Sequence, residues 1–465
     1  MDNQNINSNK LGVGNIKKIF FSMALPAIIG QLVSLLYNLV DRIYIGHIPE
    51  VGGTALAGVG VTAPIIIIIS AFAYLIGVGG APLASIKMGQ GSNKHAERIM
   101  GNAFFALIIL SLGIMAVILV FMDDILYLFG ASETTFYYAK EYMTIYTLGS
   151  IFVMITLGMN AFITAQGFAK TAMLTVSIGA IINIILDPIF IFALNLNVKG
   201  AAYATVISQF ISAIWVIRFM AEKKSILKLK KENFKIDSGI LKKTIQLGMS
   251  PFVMNVTESF IIIAFNTSLL KYVGDSAVGA MTIMSSCMQI VFLPLSGLTQ
   301  GAQPIMSYNF GARNVDRVKE TFRILLVSCL SYSVLMWLMF QIFPNIFAGF
   351  FTSNESIIQL ASRGLRIYMA GTFALGVQIA CQQTFISMGN AKTSLFLAVL
   401  RKIILLIPLI YILPLIFADK YFGVLLAEPV SDIIASTVTA IVFYKGFKEA
   451  LKTLEKEKSL LQKSI

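Results

Sequence analysis

The stretch TAMLTVSIGAIINIILDPIFIFAL, residues 171–194, is the segment around which the sequence is best interpreted. It contains about 24 mostly apolar residues, enough for an α-helix to cross a hydrocarbon core of about 30 Å. Asn183, Asp187 and Pro188 lie inside it. A carboxylate within such a helix costs at least about 2.5 kcal/mol, so Asp187 is expected to have a compensating role.

Asn183 and Asp187 are four residues apart and therefore share one helix face. Pro188 has no N–H, which leaves the carbonyl of Ile184 without its helical donor and favours a kink. Two side-chain oxygens and a freed carbonyl then suit a proton or a small hard cation. The competing interpretation is a helix-ending turn at the membrane surface. It is disfavoured because the apolar residues IFIF follow Pro188.

The composition is that of a membrane protein. Hydrophobic residues make up 57% of the 465-residue chain and charged residues 13%, against about 25% charged in soluble proteins. The net charge of +13 does not indicate a nucleic-acid partner, because the basic residues fall in short connections between apolar runs. We therefore predict an all-α, multi-pass protein of the cell membrane, embedded in the lipid bilayer.

About twelve apolar runs are predicted to be transmembrane helices. The first six are 19–41, 55–78, 103–121, 142–164, 171–194 and 201–220, and the second six are 244–270, 277–298, 324–343, 367–385, 395–417 and 424–444.

Lysine and arginine are concentrated in alternate connections, and the positive-inside rule places that set and both termini in the cytoplasm. The richer set contains Lys87, Lys94, Arg98, Lys170, the run 223–243, Arg313, Arg317, Lys319, Arg323, Lys392, Arg401 and Lys402. The poorer set contains Arg42, Lys199, Lys271 and Lys420, with Arg363 and Arg366 as exceptions.

The two halves of the chain resemble each other at an offset close to 222 residues. The matched pairs are Pro82 with Pro304, Ser85 with Ser307, Gly89 with Gly311, Phe129 with Phe351, Tyr146 with Tyr368, Gly149 with Gly371, and Gly167 with Gly389. Pro26 matches Pro251 at 225 and Gly200 matches Gly423 at 223. Because six spans is an even number, the halves are expected to be parallel repeats related by a pseudo-twofold axis along the membrane normal.

We accordingly predict an N-terminal lobe at 1–224, a cytoplasmic linker at 225–243 and a C-terminal lobe with a basic cytoplasmic tail at 244–465. The linker is basic with interleaved apolar residues. It is interpreted either as lying on the anionic inner leaflet or as a solvated tether.

Four polar residues of the first half fall at a similar predicted depth. At about 1.5 Å per residue, Asp41, Asp187 and Thr205 lie about 10 Å below the outer surface, with Asn183 one turn from Asp187. They form either one site or separate polar positions facing a vestibule. In one desolvated site two carboxylates do not both ionise without a cation, so a proton and Na⁺ would compete for it.

The second half does not repeat this cluster. Asn266 stands opposite Asp41, and Leu405 and Leu409 stand opposite Asn183 and Asp187. It offers instead Glu258 in the seventh span, interpreted as attracting a cationic substrate or as an internally bonded carboxyl, and Glu428 with Asp432 in the twelfth, interpreted as part of a polar kink. Met281, Met284 and Met288 are interpreted either as a flexible substrate surface or as core packing.

The sequence contains no pattern typical of an enzyme, and no cofactor is expected. It has no Walker loop, and its two histidines, His47 and His95, are too few for a catalytic or zinc cluster. Its three cysteines lie singly in apolar runs, where free buried thiols are expected. We expect a monomer.

The ordered motifs resemble the MATE family of multidrug and toxic-compound extruders over nearly the whole chain. They are Leu-Pro-Ala followed by Asp41, Gly-Gly-Ala-Pro82, Asn183-Ile-Ile-Leu-Asp187-Pro188, Gly-Ala-Ala-Tyr-Ala-Thr205, and Gly301-Ala-Gln-Pro304-Ile-Met-Ser-Tyr-Asn-Phe-Gly311. The resemblance implies antiport of Na⁺ or H⁺ against small cationic amphipathic compounds by alternating access.

By position, the resemblance implies a cation site, with Na⁺ as the metal ion, at Asp41, Asn183, Asp187 and Thr205, joined by the Ala201 carbonyl. Glu258 resembles an acid of other branches, but Gln378 and Gln382 stand in the tenth span where those branches carry a second acid. The alternative function is a flippase for lipids or lipid-linked oligosaccharides from the same superfamily. A facilitator of the other duplicated twelve-span fold is disfavoured by the loop KMGQGSNK.

Overall fold

The computed structural model describes residues 10–464, and the side chains of residues 10–460. Throughout this part of the chain the regular elements are helices, as predicted. Eleven of them are long and apolar enough to cross a membrane, and the number is twelve if a bent pair of helices is counted as one span. The predicted all-α, multi-pass architecture is therefore confirmed.

Between Ile16 and Ala221 the structure has seven α-helices, of which α4 is a short helix outside the candidate spans. They are α1 (Ile16–Gly46), α2 (Gly52–Gly89), α3 (Asn93–Val120), α4 (Met122–Leu128), α5 (Glu133–Ala165), α6 (Ala169–Pro188) and α7 (Asn197–Ala221). A π-helical segment, Ile189–Ala193, continues α6.

The second half repeats this pattern with more interruptions. Its helices are α8 (Ser238–Tyr272), α9 (Asp275–Gly311), α10 (Val315–Ile342), α11 (Pro344–Gly349), α12 (Glu355–Tyr368), α13 (Thr372–Ser387), α14 (Ala391–Val399), α15 (Ile407–Ile416) and α16 (Lys420–Ser464). The π-helical segment Leu400–Leu406 joins α14 to α15.

Several helices extend beyond the apolar windows from which they were predicted. For example, α2 continues to Gly89 and α5 begins at Glu133, each about three turns outside its window. Hydropathy marks only the part of a helix that lies in hydrocarbon, and a helix that continues into the polar layer is not detected by it. The tenth span is broken into α12 and α13, which are bent by 49°.

A repeated side-chain hydrogen bond supports the internal duplication. The Ser85 hydroxyl donates to the Ala165 carbonyl at 3.0 Å, and the Ser307 hydroxyl donates to the Ser387 carbonyl at 2.8 Å. Both bonds join residues 80 apart, and both residues of each bond match at the offset of 222 that the sequence showed. All four residues are buried.

The chain divides into two compact units. Unit 1 comprises Leu25–Phe252 and the described residues before Asn15, and unit 2 comprises Asn15–Ala24 and the described residues from Val253 on. The bounds differ from the predicted lobes, because the unit changes near Pro26 inside α1 and near Pro251 inside α8. These two prolines are the pair matched between the halves.

Close backbone packing explains this exchange of helix ends. Within unit 2, a Cβ at Gly301 would lie 2.6 Å from the Cα of Ala24, so the start of α1 packs directly on α9. Within unit 1, the backbone of Gly248 at the start of α8 lies against Leu75 of α2.

The predicted linker is a packed part of unit 1 over its first half. The Gln166 side chain accepts hydrogen bonds from the Ser225 hydroxyl at 2.9 Å and the Leu227 N–H at 2.8 Å. Lys230 forms an ion pair with Glu97, at 2.8 Å. The solvated-tether interpretation is therefore wrong for residues 225–230, and the leaflet-bound interpretation stays a prediction. Buried polar partners on α3 and just after α5 hold this segment, and sequence patterning could not reveal them.

Candidate functional site

Three helices of unit 1 present the polar residues predicted from the sequence. Asp41 lies near the end of α1, Asn183 and Asp187 lie on α6, and Thr205 lies on α7. Asn183 and Asp187 are fully buried, and Thr205 is 9% exposed. The side chains converge although they lie on three separate spans.

Hydrogen bonds connect three of the four side chains. The Asn183 amide donates from Nδ2 to Oδ1 of Asp187 at 3.2 Å and lies 3.5 Å from the Thr205 hydroxyl. The Asp41 carboxyl lies close enough to the Asp187 carboxyl for the two groups to interact electrostatically. The one-site interpretation of these residues therefore describes the geometry better than separate polar positions. Ala201, one turn before Thr205, is also buried.

Three acceptor oxygens in this cluster have no donor within the described part of the chain: Asp41 Oδ1, Asn183 Oδ1 and Asp187 Oδ2. A buried acceptor without a partner costs about 1–3 kcal/mol, and more when it is charged. Neither carboxylate forms a salt bridge with a described lysine or arginine. A proton or a small cation among these oxygens would supply the missing partner.

The backbone at Asp187 is irregular. The helix does not end at Pro188 but continues through the π-helical Ile189–Ala193, in which the Leu194 N–H donates to the Ile189 carbonyl at 2.9 Å. The interpretation of Asp187-Pro188 as a helix-ending turn is therefore wrong. Pro188 cannot donate to the carbonyl of Ile184, and the helix widens immediately after it. Such π segments occur frequently at functional sites.

Tyrosines surround the cluster, and sequence reasoning missed them. Tyr142 on α5 is buried close to Thr205 and Asp41, and Tyr37 lies one turn before Asp41 on α1. Tyr142 and Tyr146 stack with ring centroids 6.1 Å apart. The sequence did contain a signal. Tyr37 is four residues from Asp41, and Tyr142 is four residues from Tyr146, so each pair shares a helix face.

Gly200 permits the contact that holds α7 against the π segment. A Cβ at this position would lie 2.6 Å from the carbonyl carbon of Phe190 and 2.7 Å from the amide nitrogen of Ile191, both backbone atoms. Gly200 directly precedes Ala201 and is five residues from Thr205. Its missing side chain therefore places the α7 residues of the cluster beside α6.

Gly200→Ala is expected to lower the free energy of unfolding by about 1–3 kcal/mol, because the added methyl forces two backbones apart. The measurement is thermal unfolding of the purified protein in detergent. Gly113→Ala in α3 is the matched control, because a Cβ there meets nothing within 4 Å. The control should be neutral or more stable, as alanine usually is in a helix. Equal stability of the two variants would contradict the proposed contact.

The structure places the predicted substrate residues of the second half in unit 2. Glu258 is ion-paired with Lys402, whose Nζ lies 2.5 Å from its Oε2, so it is not a free acid. Met281, Met284 and Met288 are buried at 2%, 0% and 6% exposure. Their roles in substrate binding stay predictions.

The assignment of Arg401 and Lys402 to a cytoplasmic connection is wrong. Both lie in the π segment Leu400–Leu406, inside the span Ala391–Ile416, at 2% and 4% exposure. Carboxylates on α8 and α16 form ion pairs with both cations within the span. The positive-inside rule counts lysines and arginines by their place in the sequence and does not detect such buried partners.

Comparison with solved structures shows the fold. A MATE transporter in the bent conformation superposes with a TM-score of 0.90 at 22% identity, covering 97% of this chain and 99% of that one. The MATE multidrug transporter DinF-BH, solved as a complex, gives a TM-score of 0.85 at 33% identity, covering 92% and 95%.

Comparison with curated proteins shows full-length relatives. The multidrug export protein MepA of Staphylococcus haemolyticus is 26% identical over 423 residues, covering 90% of this chain and 92% of that protein. MepA of Staphylococcus aureus is 26% identical over 428 residues, covering 91% and 94%. The sequence model of the MatE family matches residues 26–189 and 251–412, one segment in each half. The chain, a multi-pass membrane protein, thus belongs to the MatE family.

Proposed function

We propose that this protein is a multidrug exporter that couples the entry of Na⁺ or H⁺ to the efflux of small cationic amphipathic compounds. The observation that carries the proposal is the set of three unpartnered acceptor oxygens on Asp41, Asn183 and Asp187, buried together in unit 1. An exporter driven by an ion gradient needs a site for that ion within the membrane, and these oxygens are suited to one.

The charge of the cluster gives a reason for coupling. Two carboxylates in a desolvated place repel each other unless a proton or a cation lies with them. The ion-free cluster is therefore costly, and binding of either ion stabilises one arrangement of α1, α6 and α7 over another. A ligand shifts a conformational equilibrium only by its difference in affinity for the two states. The widened π turn beside Asp187 is a natural place for such a change.

The relatives support the substrate class. Two MepA proteins are named multidrug export proteins, and DinF-BH is named a multidrug transporter. The excess of lysine and arginine in one set of connections supports cytoplasmic termini, and it persists without Arg401 and Lys402 because Lys392 stays in that set.

The test is efflux of a fluorescent cationic dye from vesicles containing the purified protein. A Na⁺ gradient is imposed at equal pH on both sides, and a pH gradient is imposed separately at equal Na⁺. We expect at least one gradient to drive dye movement against its concentration. Failure of both gradients to move the dye would overturn the proposal.

Asp41→Asn is the paired variant for this assay. It keeps the size and hydrogen-bonding shape of the side chain and removes its charge. We expect it to abolish gradient-driven efflux, while passive dye leakage stays as in vesicles without protein. Unchanged efflux by Asp41→Asn would remove the unit 1 cluster as the coupling site.

A further inference from the structure

Unit 2 contains a second buried cluster, built from five charged side chains. Arg401 donates from Nε to Oδ1 of Asp432 at 2.7 Å and from Nη2 to Oε1 of Glu428 at 3.1 Å. Lys402, the next residue, pairs with Glu258 at 2.5 Å. Arg401 also lies over the ring of Phe292, 5.5 Å from its centroid. One guanidinium thus serves two carboxylates.

The charges of this cluster do not balance. Three carboxylates face two cations, which leaves one negative charge in a nearly dry place if every group is ionised. The side chains of Arg401, Glu428 and Asp432 are 3%, 4% and 1% exposed. Glu428 Oε2 and Asp432 Oδ2 are buried and have no donor among the described residues. Each of these two acids therefore has one oxygen bound to Arg401 and one oxygen without a partner.

The cluster uses the same helices of its repeat as the cluster in unit 1. Unit 1 draws its polar residues from the first, fifth and sixth spans, and unit 2 draws its charges from the seventh, eleventh and twelfth. Gly200 matches Gly423 at an offset of 223, and the same offset places Glu428 opposite Thr205. Arg401 and Lys402 lie on the counterpart of the helix that carries Asp187. Unit 2 therefore places two cationic side chains in its cluster, whereas the four polar residues of the unit 1 cluster include none.

Three backbone irregularities surround the charges. Arg401 and Lys402 lie in a π segment, and Pro429, between Glu428 and Asp432 in α16, has no N–H to donate to the carbonyl of Leu425. The 49° bend between α12 and α13 packs on the same point, since a Cβ at Gly371 would lie 2.8 Å from the Cα of Pro429. Regular helices pack without such features. The π segment, the proline and the bend together allow the backbone around the five charged side chains to change its conformation.

We propose that unit 2 has its own proton-binding site, in which Glu428 and Asp432 share one proton beside Arg401. The proton neutralises the surplus negative charge and supplies the donor that the two unpartnered oxygens lack. The site is independent of the unit 1 cluster and does not rest on the proposed function.

A proton suits this place better than Na⁺. A hard cation takes about six oxygen ligands, whereas the cluster has two free carboxylate oxygens, and the Ser431 hydroxyl is already bonded to the Arg401 carbonyl. Na⁺ would also lie next to the guanidinium, which repels it. The ionisable groups in electrostatic range are Arg401, Lys402, Glu258 and Tyr368. Arg401 and Lys402 already carry their protons as ion-paired cations, so neither can take up the additional proton.

An entry path for the proton follows from exposure. The side chain of Glu258 is 49% exposed, that of Lys402 is 6% exposed, and the acids behind Arg401 are buried. Glu258 is therefore the acid of the cluster that reaches the surface of the unit, and its partner Lys402 is the chain neighbour of Arg401, which binds the buried acids.

The experiment is infrared difference spectroscopy of the full-length purified protein, recorded as the pH is changed. A protonated carboxyl absorbs in a carbonyl region separate from carboxylates, and it is read without any transport assay. The starting protein is Asp41→Asn/Asp187→Asn, which removes both acids of the unit 1 cluster. We expect one titrating carboxyl band to persist in this protein.

Adding either Glu428→Gln or Asp432→Asn should abolish that band completely, because each leaves two acids facing two cations. Glu355→Gln, an exposed position on α12, is the matched control and should leave it unchanged. If one variant fails to fold, the other makes the same test. Absence of the band from the starting protein, its survival in a folded variant, or its removal by Na⁺ at constant pH would overturn the proposal.

Discussion

Replacing Asp187 with asparagine is expected to abolish ion-driven export while the protein stays folded and membrane-inserted. The variant loses the negative charge that attracts the coupling ion and keeps an oxygen that can accept from the Asn183 amide, now 3.2 Å away. A hydrogen bond to a charged group contributes about 1.5–3 kcal/mol. Losing a charged ion ligand of comparable strength weakens ion affinity by about 10- to 100-fold, since about 1.4 kcal/mol corresponds to a factor of ten.

Folding should survive because the ion-free cluster already contains two carboxylates that repel each other. Removing one charge relieves their repulsion and lowers the cost of burying them. The thermal unfolding midpoint of Asp187→Asn is therefore expected to equal or exceed that of the wild type in the absence of Na⁺ at neutral pH.

The measurement is the initial rate of dye efflux in vesicles at matched protein density, with either ion gradient. Asp124→Asn is the control, because that aspartate is exposed on the short helix α4, outside the candidate membrane spans. The control should transport at the wild-type rate. Wild-type efflux by Asp187→Asn would exclude this carboxylate as a ligand of the coupling ion.

Arg401→Gln is expected to be the most destabilising of the substitutions considered for unit 2. It leaves Glu428 and Asp432 buried side by side without their shared cation. Removing one partner of a buried ion pair costs about 3–5 kcal/mol. We expect the variant to unfold at a markedly lower temperature. If the two acids instead take up a second proton, the stability of the variant should fall as the pH rises.

Thermal unfolding in detergent at several pH values measures this effect. Arg363→Gln is the matched control, because Arg363 pairs with Asp419 in the same unit but at 58% and 40% exposure. An exposed pair of this kind contributes about 0–1 kcal/mol.

A compensating variant separates charge from packing. Arg401→Met combined with Glu428→Gln and Asp432→Asn removes the whole triad, and replacing a buried ion network by neutral groups is often close to neutral in stability. We expect this triple variant to be more stable than Arg401→Gln. Equal loss in Arg401→Gln and Arg363→Gln would contradict the role given to the buried pair.

Much of the fold could be predicted because the bilayer imposes a requirement on each transmembrane segment that can be recognised in that segment's own sequence. A transmembrane helix needs a long apolar run, and the runs of this chain correspond to observed helices with shifted ends. The unit 1 residues were also identifiable, because an acid inside such a run is costly wherever it lies. Tyr142 and Tyr37 were missed because a tyrosine in an apolar span is common, and only packing places these two beside the cluster.

The sequence by itself determined the class of protein, its duplication and the four polar side chains of unit 1, because hydropathy, repeat spacing and the cost of a buried charge depend on residue type. Only the tertiary structure decided how the charges of unit 2 pair. Arg401 pairs with Glu428, which is 27 residues away in the sequence, and with Asp432, which is 31 residues away. Lys402 pairs with Glu258, which is 144 residues away. Those pairings exist because α8, α16 and a π segment pack together, and no local pattern in the chain specifies which helices pack together.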